Sequence, residues 1–315
     1  MSKGNPVRRV VEPLPDGVAT DVSMRRLSTL RIGGPADYYS EVADAKQLAD
    51  LLGWAQKSQL PIGVVGSGSN LLISDEGFRG LVIKLTGDFT AIERRGNSVV
   101  CGGGARLPAV ATRTIHWGLA GIEFGINIPG SVGGSIRMNA NAFGGELASV
   151  LEWAEICDAE GMERKTPAEL GFGYRSSSIE SGQVVARASF ALRESAPEAV
   201  DAAVKEVRAQ RRESQPLGIQ TLGSTFRNPD ESIGRGEKAA ARLLAESGCQ
   251  ELRVGNARFS PQHANFIQLE GPSTAADVAQ LLALARQRVH QEFGVELEPE
   301  VQVLGEIDWP GGWQL

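Results

Sequence analysis

Two glycine-rich stretches hold the residue types from which this sequence can build a binding site. The first, Gly66–Asn70, reads GSGSN; the second runs IPGSVGGSIRMNANAFGGE from Ile128 to Glu146, and seven glycines fall in the 25 residues from Gly121 to Gly145. Loops without Cβ atoms let successive backbone N–H groups converge on an anion. Each charge-assisted N–H bond to a phosphate oxygen contributes about 1.5–3 kcal/mol, so two such loops suffice for a diphosphate without a lysine-rich surface. The interleaved serines and asparagines favour that reading over plain turn linkers, the ordinary use of a single glycine cluster. Neither stretch is a dinucleotide fingerprint or a P-loop. Leu71 stands where the third fingerprint glycine belongs, and no GxxxxGK[ST] occurs. Asn127 and Asn141 are expected at positive φ, because asparagine tolerates that region best among residues other than glycine.

Other chemistries find little support. The three histidines, His116, His263 and His290, are scattered, which leaves a metal site or a histidine-based triad nothing to stand on. Cys101, Cys157 and Cys249 form no CxxC pair and are odd in number, so they read as small buried side chains in a reducing, cytoplasmic setting. A formal charge of -6 disfavours a nucleic-acid or anionic-membrane surface. The N-terminal MSKGNPVRRVVEPLPDG lacks an apolar run of signal-peptide length, and no stretch of about 18 apolar residues suggests membrane insertion.

The elements that must position these loops follow from periodicity. Residues 44–57 place Leu48, Leu51, Leu52 and Ala55 at helical spacing behind an acidic start, and Pro61 precedes a short buried strand. LVIKL and SVVCGGG read as strands, LPAVATRTIHWGL as a helix, and residues 150–192 as a second sheet without a strong helix. From about residue 196 the texture changes. PEAVDAAVKEVRAQRRE is helical, and STAADVAQLLALARQRVHQEF predicts a helix capped by Ser273 or Thr274 with Asp277, burying Val278, Leu281, Leu282, Ala285, Val289 and Phe293. At 315 residues, two or three packed units of α+β class are expected.

Eight motifs in order, TLRIGGPADYY at Thr29, GSGSNLL at Gly66, IPGSVGG at Ile128, MNANAFGGE at Met138, YRSS at Tyr174, LGSTFRNP at Leu222, HANFI at His263 and LEPEV at Leu297, run through nearly the whole chain. The sequence thereby resembles the UDP-N-acetylenolpyruvoylglucosamine reductases, flavoenzymes of early peptidoglycan synthesis. Departures are modest: Ser28 stands where Asn is common, Asn127 and Asn141 where Gly is common, and Gly255, Asn256 and Ala257 replace the usual Gly-Gly-Ala. The short run after Arg175 resembles the subgroup without the insertion that carries an extra substrate-clamping tyrosine.

The resemblance implies an FAD-binding region of two α/β subdomains of vanillyl-alcohol oxidase type (residues 1–195, with a break near 90) and a C-terminal α+β substrate domain (196–315). It implies transfer of hydride from NADPH through FAD to the β-carbon of UDP-N-acetylglucosamine enolpyruvate, giving UDP-N-acetylmuramate. Arg175 then stabilises the enolate-like state, Ser224 donates the proton to the α-carbon, and Glu300 assists the arginine. Register alone favours Glu300 over Glu298. FAD contacts are expected from Gly66, Ser67, Gly68, Ser69, Asn70 and Leu71, and from Pro129, Gly130, Ser131, Gly133, Gly134 and Asn139. Substrate contacts are expected from Tyr174, Arg227 and Asn228. A flavin oxidase of the same fold and a noncatalytic nucleotide-sugar binder are the competing readings; the first lacks the paired GSTFRNP and LEPEV motifs.

Overall fold

The computed structural model describes residues 11–229 and 239–313, apart from positions 12 and 217. Most of the N-terminal stretch read above for the lack of a leader lies outside the described residues. Among the described residues, no helix is long and apolar enough to cross a membrane.

The chain begins with β1 (Ala19–Ser23), β2 (Pro35–Val42), α1 (Ala45–Lys57), β3 (Ile62–Val64), β4 (Leu71–Ile73) and β5 (Phe78–Leu85). The sheet order is β1-β2-β5-β3, with β5 parallel to both neighbours and β1 antiparallel to β2. Helix α1 starts where expected because the Asp44 carboxylate accepts from Gln47 N at 2.9 Å, satisfying one of the free amides of the first turn. Its Leu48, Leu51, Leu52 and Ala55 are all buried and share one apolar cluster with Tyr38, Leu81 and Ile83. Each fully buried leucine contributes about 1.5–3 kcal/mol. Cys157, Val184 and Ala186 from the next unit join the same cluster, so the two units have a common core.

The second unit comprises β6 (Ile92–Arg95), β7 (Ser98–Gly102), α2 (Leu107–Trp117), β8 (Leu119–Ala120), α3 (Val132–Arg137), β9 (Asn141–Ala142), β10 (Gly145–Glu146), β11 (Leu151–Asp158), β12 (Gly161–Lys165), β13 (Val184–Ala191) and β14 (Arg193–Glu194). Its five-stranded antiparallel sheet runs β12-β11-β13-β7-β6, and β8·β14 and β9·β10 form small separate ladders. The expected sheet over 150–192 is therefore present.

The remainder holds α4 (Pro197–Ser214), β15 (Thr221–Ser224), α5 (Ala240–Glu246), β16 (Arg253–Val254), β17 (Ala257–Phe259), β18 (Phe266–Leu269), α6 (Ala275–Phe293) and β19 (Gln302–Leu304). The antiparallel sheet β15-β18-β17-β16 packs with α5 and α6. Thr274 caps α6 reciprocally with Asp277, and Val278, Leu281, Leu282, Ala285 and Val289 are buried. Phe293 departs from the expectation. It lies in the last turn, beyond the core, and is 38% exposed.

Two connections cross between units. Helix α4 packs through Val204 and Val207 against Ala111, Ile115 and Ile126 of the second unit. Strand β19 pairs in parallel with β4 of the first, Gln302 opposite Leu71 and Leu304 opposite Ile73. Leu30, Ile32 and Leu72 of the first unit are buried in the same cluster as α5 and α6.

Candidate active site

The first glycine loop joins β3 to β4. Gly68 has φ +63°, and a Cβ there would strike the Leu27 carbonyl, so only glycine fits. The amides of Gly66, Ser67, Gly68, Ser69 and Asn70 donate to no protein acceptor among the described residues. Consecutive unengaged N–H groups in a glycine turn are the donor set that a diphosphate requires, and these residues fit the FAD phosphates in that respect.

The second loop contributes differently. Ser131 caps α3, its Oγ accepting from Gly134 N at 3.3 Å, while Val132 N and Gly133 N donate to the carbonyls of Ala105 and Gly103 at 2.8 Å each. The amides of Gly130 and Ser131 have no protein acceptor among the described residues. The cradle expected from Gly133 and Gly134 thus narrows to the turn before the helix, because the Gly133 amide already holds α3 to the turn after β7 and the Gly134 amide is taken by the Ser131 cap. The two loops touch: a Cβ on Gly66 would run into Ser131 Oγ.

The asparagines of this segment correct the sequence reading. Neither Asn127 nor Asn141 has positive φ; Asn139 (φ +39°), Phe143 (φ +50°) and Arg175 (φ +54°) do. Asn127 is buried, and its Nδ2 donates to Val207 O at 2.6 Å, tying the segment to α4. Asn139 donates through Nδ2 to Gly173 O at 3.1 Å and accepts at Oδ1 from Ala148 N at 3.1 Å. Its side chain is a strut beneath the Tyr174–Arg175 turn.

Arg175 and Glu300 meet. Arg175 Nε stands 3.1 Å from Glu300 Oε1, with side-chain exposures of 16% and 13%, so the pair is largely shielded from water. Arg175 also donates from Nη1 to Asn141 O at 3.3 Å, and its guanidinium carbon lies 5.6 Å from the Tyr174 ring centre. A non-glycine residue in the left-handed region is costly, which marks this turn as over-determined by its surroundings. Burial pushes the Glu300 carboxyl up from its ordinary value, against the downward pull of Arg175 and, more weakly, Arg227. Glu298 is 76% exposed and only 3.9 Å from Arg227 Nη1, at the limit of an ion pair. The chain is not a strand here: Pro299 forms an isolated bridge with Phe226, and that turns Glu300 inward and Glu298 out.

Ser224 ends β15 beside this pair. Glu300 N donates to the carbonyl of Thr225, the next residue, at 2.8 Å. The Ser224 hydroxyl has no hydrogen bond among the described residues. Asn70 holds the backbone around it, its Nδ2 donating to Leu222 O at 2.9 Å and Ser224 O at 3.0 Å, while its buried Oδ1 has no partner among the described residues. Thr29 Oγ1 donates to Thr221 O at 2.5 Å on the same strand. Asn70 therefore both belongs to the first glycine loop and holds the backbone at Ser224.

Asn265 is the positioning residue that sequence reasoning missed. It is buried, accepts from Thr225 Oγ1 at 2.8 Å and Phe226 N at 2.9 Å, and donates to Phe226 O at 2.8 Å. Its place in HANFI was the available signal. His263 of that motif accepts from Asn265 N at Nδ1 and stacks edge-on against Phe266, and burial lowers its pKa. Tyr174 Oη accepts from Asn228 N at 3.4 Å, and Asn228 Oδ1 accepts from Ala240 N at 3.0 Å, the start of α5. Tyr174, Arg227 and Asn228 thus border the Arg175–Glu300 pair. The cysteines are buried free thiols, and burial raises Cys101 to about 12 and Cys157 and Cys249 to about 11, which makes them poor nucleophiles.

Two family models match the chain, an FAD binding domain over residues 36–166 and the UDP-N-acetylenolpyruvoylglucosamine reductase C-terminal domain over 215–304. UDP-N-acetylenolpyruvoylglucosamine reductase 2 of Symbiobacterium thermophilum is 43% identical over 288 residues, covering 91% of this chain and 92% of that protein. The Gluconobacter oxydans UDP-N-acetylenolpyruvoylglucosamine reductase is 41% identical over 276 residues, 87% of this chain and 88% of that one. The crystal structure of the Thermus caldophilus enzyme of the same name superposes with a TM-score of 0.77 at 34% identity, covering 93% of this chain and 98% of that chain. With its α+β fold, its loop of unengaged amides and relatives of this identity along almost its full length, the chain belongs to the UDP-N-acetylenolpyruvoylglucosamine reductase family.

Proposed function

We propose that this protein reduces UDP-N-acetylglucosamine enolpyruvate to UDP-N-acetylmuramate in the cytoplasm, as a step of peptidoglycan precursor synthesis. Residues 1–195 form the FAD-binding region and 196–315 the substrate domain, with α4 and β19 as the struts between them. Bound FAD supplies the hydride, taken from NADPH, that adds to the β-carbon of the enolpyruvyl group. The chain's own work is to bind, orient and neutralise.

The free amides of Gly66–Asn70, with those of Gly130 and Ser131, hold the diphosphate. Arg175 meets the substrate carboxylate as negative charge builds there, a task for which a planar guanidinium suits better than a mobile ammonium. Glu300, its carboxyl raised by burial, acts in its protonated form and donates to that carboxylate rather than repelling it. The Ser224 hydroxyl delivers the proton to the α-carbon, on which NADPH, a proton and the substrate balance to NADP and the lactyl ether. Tyr174, Arg227 and Asn228 border the sugar-nucleotide.

The observation that carries this reading is the meeting of Arg175 with Glu300, 125 positions apart in the sequence, one residue from the backbone of Ser224. Ser224→Ala tests it. Bleaching of the flavin by NADPH should proceed at the wild-type rate, while reoxidation by the enolpyruvyl substrate falls by about 10²–10⁴-fold. Equal reoxidation in variant and wild type would remove Ser224 from the reaction.

A further inference from the structure

A cavity of about 420 Å³ opens where the segment between β1 and β2 meets the loop from β18 to α6. Arg25, Arg31, Gln220 and Ser273 line it, over apolar surface from Ile32 and Leu269, and no carboxylate does. It is apart from the Arg175–Glu300 pair: Gln220 precedes the Thr221 end of β15, and Ser224 lies at the other end, about 10 Å along the strand. Neither Arg25 nor Arg31 has an ion pair among the described residues, and Arg25 bonds only from Nε to Arg31 O, at 3.4 Å. The acids around the start of α6 are already engaged. Asp75 accepts from Ala275 N and Ala276 N, Asp277 closes the α6 cap, and Glu270 pairs with Arg253 and Arg258.

Exposed arginines are ordinary, but the chain around these two is not. Arg31 has φ +56°, a left-handed conformation that a residue with a side chain adopts only at a cost, so the surrounding fold holds it there. Leu30 and Ile32 on either side are buried, and their amides donate to no protein acceptor among the described residues. Ser273 is one of two adjacent residues whose type suits the α6 cap. Thr274 takes that task, and Ser273 Oγ is left buried without a hydrogen-bond partner among the described residues. Buried hydroxyls are ordinarily paired, and this one lines a hollow that holds two unopposed cations. The wall beside it is fixed, because Asn256 Nδ2 donates to Pro272 O at 2.6 Å.

The donor set selects the ligand. Two guanidinium groups, a carboxamide and a hydroxyl offer more donors than the two oxygens of a carboxylate accept, and they carry two positive charges. A phosphate monoester brings nearly two negative charges and three terminal oxygens, and its organic side suits the apolar wall. We propose that this cavity binds an organic phosphate monoester, at a place separate from the two glycine loops. Arg25 and Arg31 meet the phosphate oxygens, and the organic group lies against Ile32 and Leu269. The site abuts the catalytic region through its backbone: Thr29, the residue before Leu30, donates from Oγ1 to both Gly68 O and Thr221 O.

Calorimetric titration of phenyl phosphate, inorganic phosphate and benzoate into the full chain, with FAD present, tests this in wild type and in Arg25→Gln/Arg31→Gly. Glycine at position 31 keeps the left-handed turn while removing the guanidinium. Wild type should show one saturable phenyl phosphate site, with a Kd at least tenfold below those of inorganic phosphate and benzoate. In the variant that Kd should rise at least tenfold, the loss of one good charge-assisted contact. No saturable binding to wild type, or equal Kd values in wild type and variant, overturns the proposal. Benzoate or inorganic phosphate binding as tightly as phenyl phosphate overturns it too. If the double variant does not fold, Arg25→Gln alone, at an exposed position, is read by the same tenfold threshold. The flavoenzyme reading stands or falls separately, since neither arginine is among the FAD or substrate contacts named above.

Discussion

Burial and the neighbouring Arg175 together set the state of Glu300. Removing water raises the cost of a charged carboxylate, and the nearby guanidinium offsets only part of that cost, so the Glu300 carboxyl sits above its ordinary range. A raised carboxyl is protonated below its shifted value and ionises as pH rises through it. Substrate-driven reoxidation of the flavin should therefore slow with rising pH through that value, and Glu300→Gln, neutral at every pH, should remove that limb. Single-turnover reoxidation measured across pH checks this; an identical profile in wild type and variant would dissociate Glu300 from the reaction. The choice between Glu298 and Glu300 was not legible locally. Both are acids flanking Pro299, and only the bridge to Phe226, 73 positions earlier, decides which one turns inward.

The helices are the elements most readable from sequence, because their signals are local. Asp44 and the 3-4 spacing of apolar residues predict α1, and Thr274 with Asp277 predicts the start of α6. Thr274→Ala should remove one half of the capping box and cost about 1 kcal/mol, seen as a lowered urea midpoint with unchanged slope. The expectation for Asn127 and Asn141 failed for the opposite reason. Backbone tolerance says where an asparagine is permitted, not where it is needed. In the fold Asn127 supplies a side-chain donor to α4, and the left-handed positions fall to Asn139, Phe143 and Arg175.

Across the whole molecule, the candidate site is assembled where all three units meet, with Asn70 from the first, Arg175 from the second, and Ser224 and Glu300 from the third. Asn70 ties the first glycine loop to the Ser224 strand, and β19 lies along β4. At the same junction the Asp75 carboxylate accepts from Ala275 N at 2.8 Å and Ala276 N at 3.0 Å, docking the first turn of α6. Asn70→Ala should release the backbone of Leu222 and Ser224, and a displacement of about 1 Å at a reacting group costs about 10²-fold in rate. Stopped-flow traces should show that loss in reoxidation by the enolpyruvyl substrate, with the NADPH half-reaction near wild type; loss confined to the NADPH half would contradict the coupling.

The amino-acid sequence alone determined helices α1, α2, α4 and α6, the strand-rich middle, the two glycine-rich stretches and the family, since each rests on neighbouring residue types or on motifs in order; the short helices α3 and α5 were not called. Tertiary structure alone decided which amides remain free, which glutamate faces the arginine, and that α4 and β19 lean on other units than their own. Those outcomes depend on hydrogen bonds and packing between residues tens to hundreds of positions apart, and no local pattern encodes which of several equally suitable partners a folded chain will bring within 3 Å.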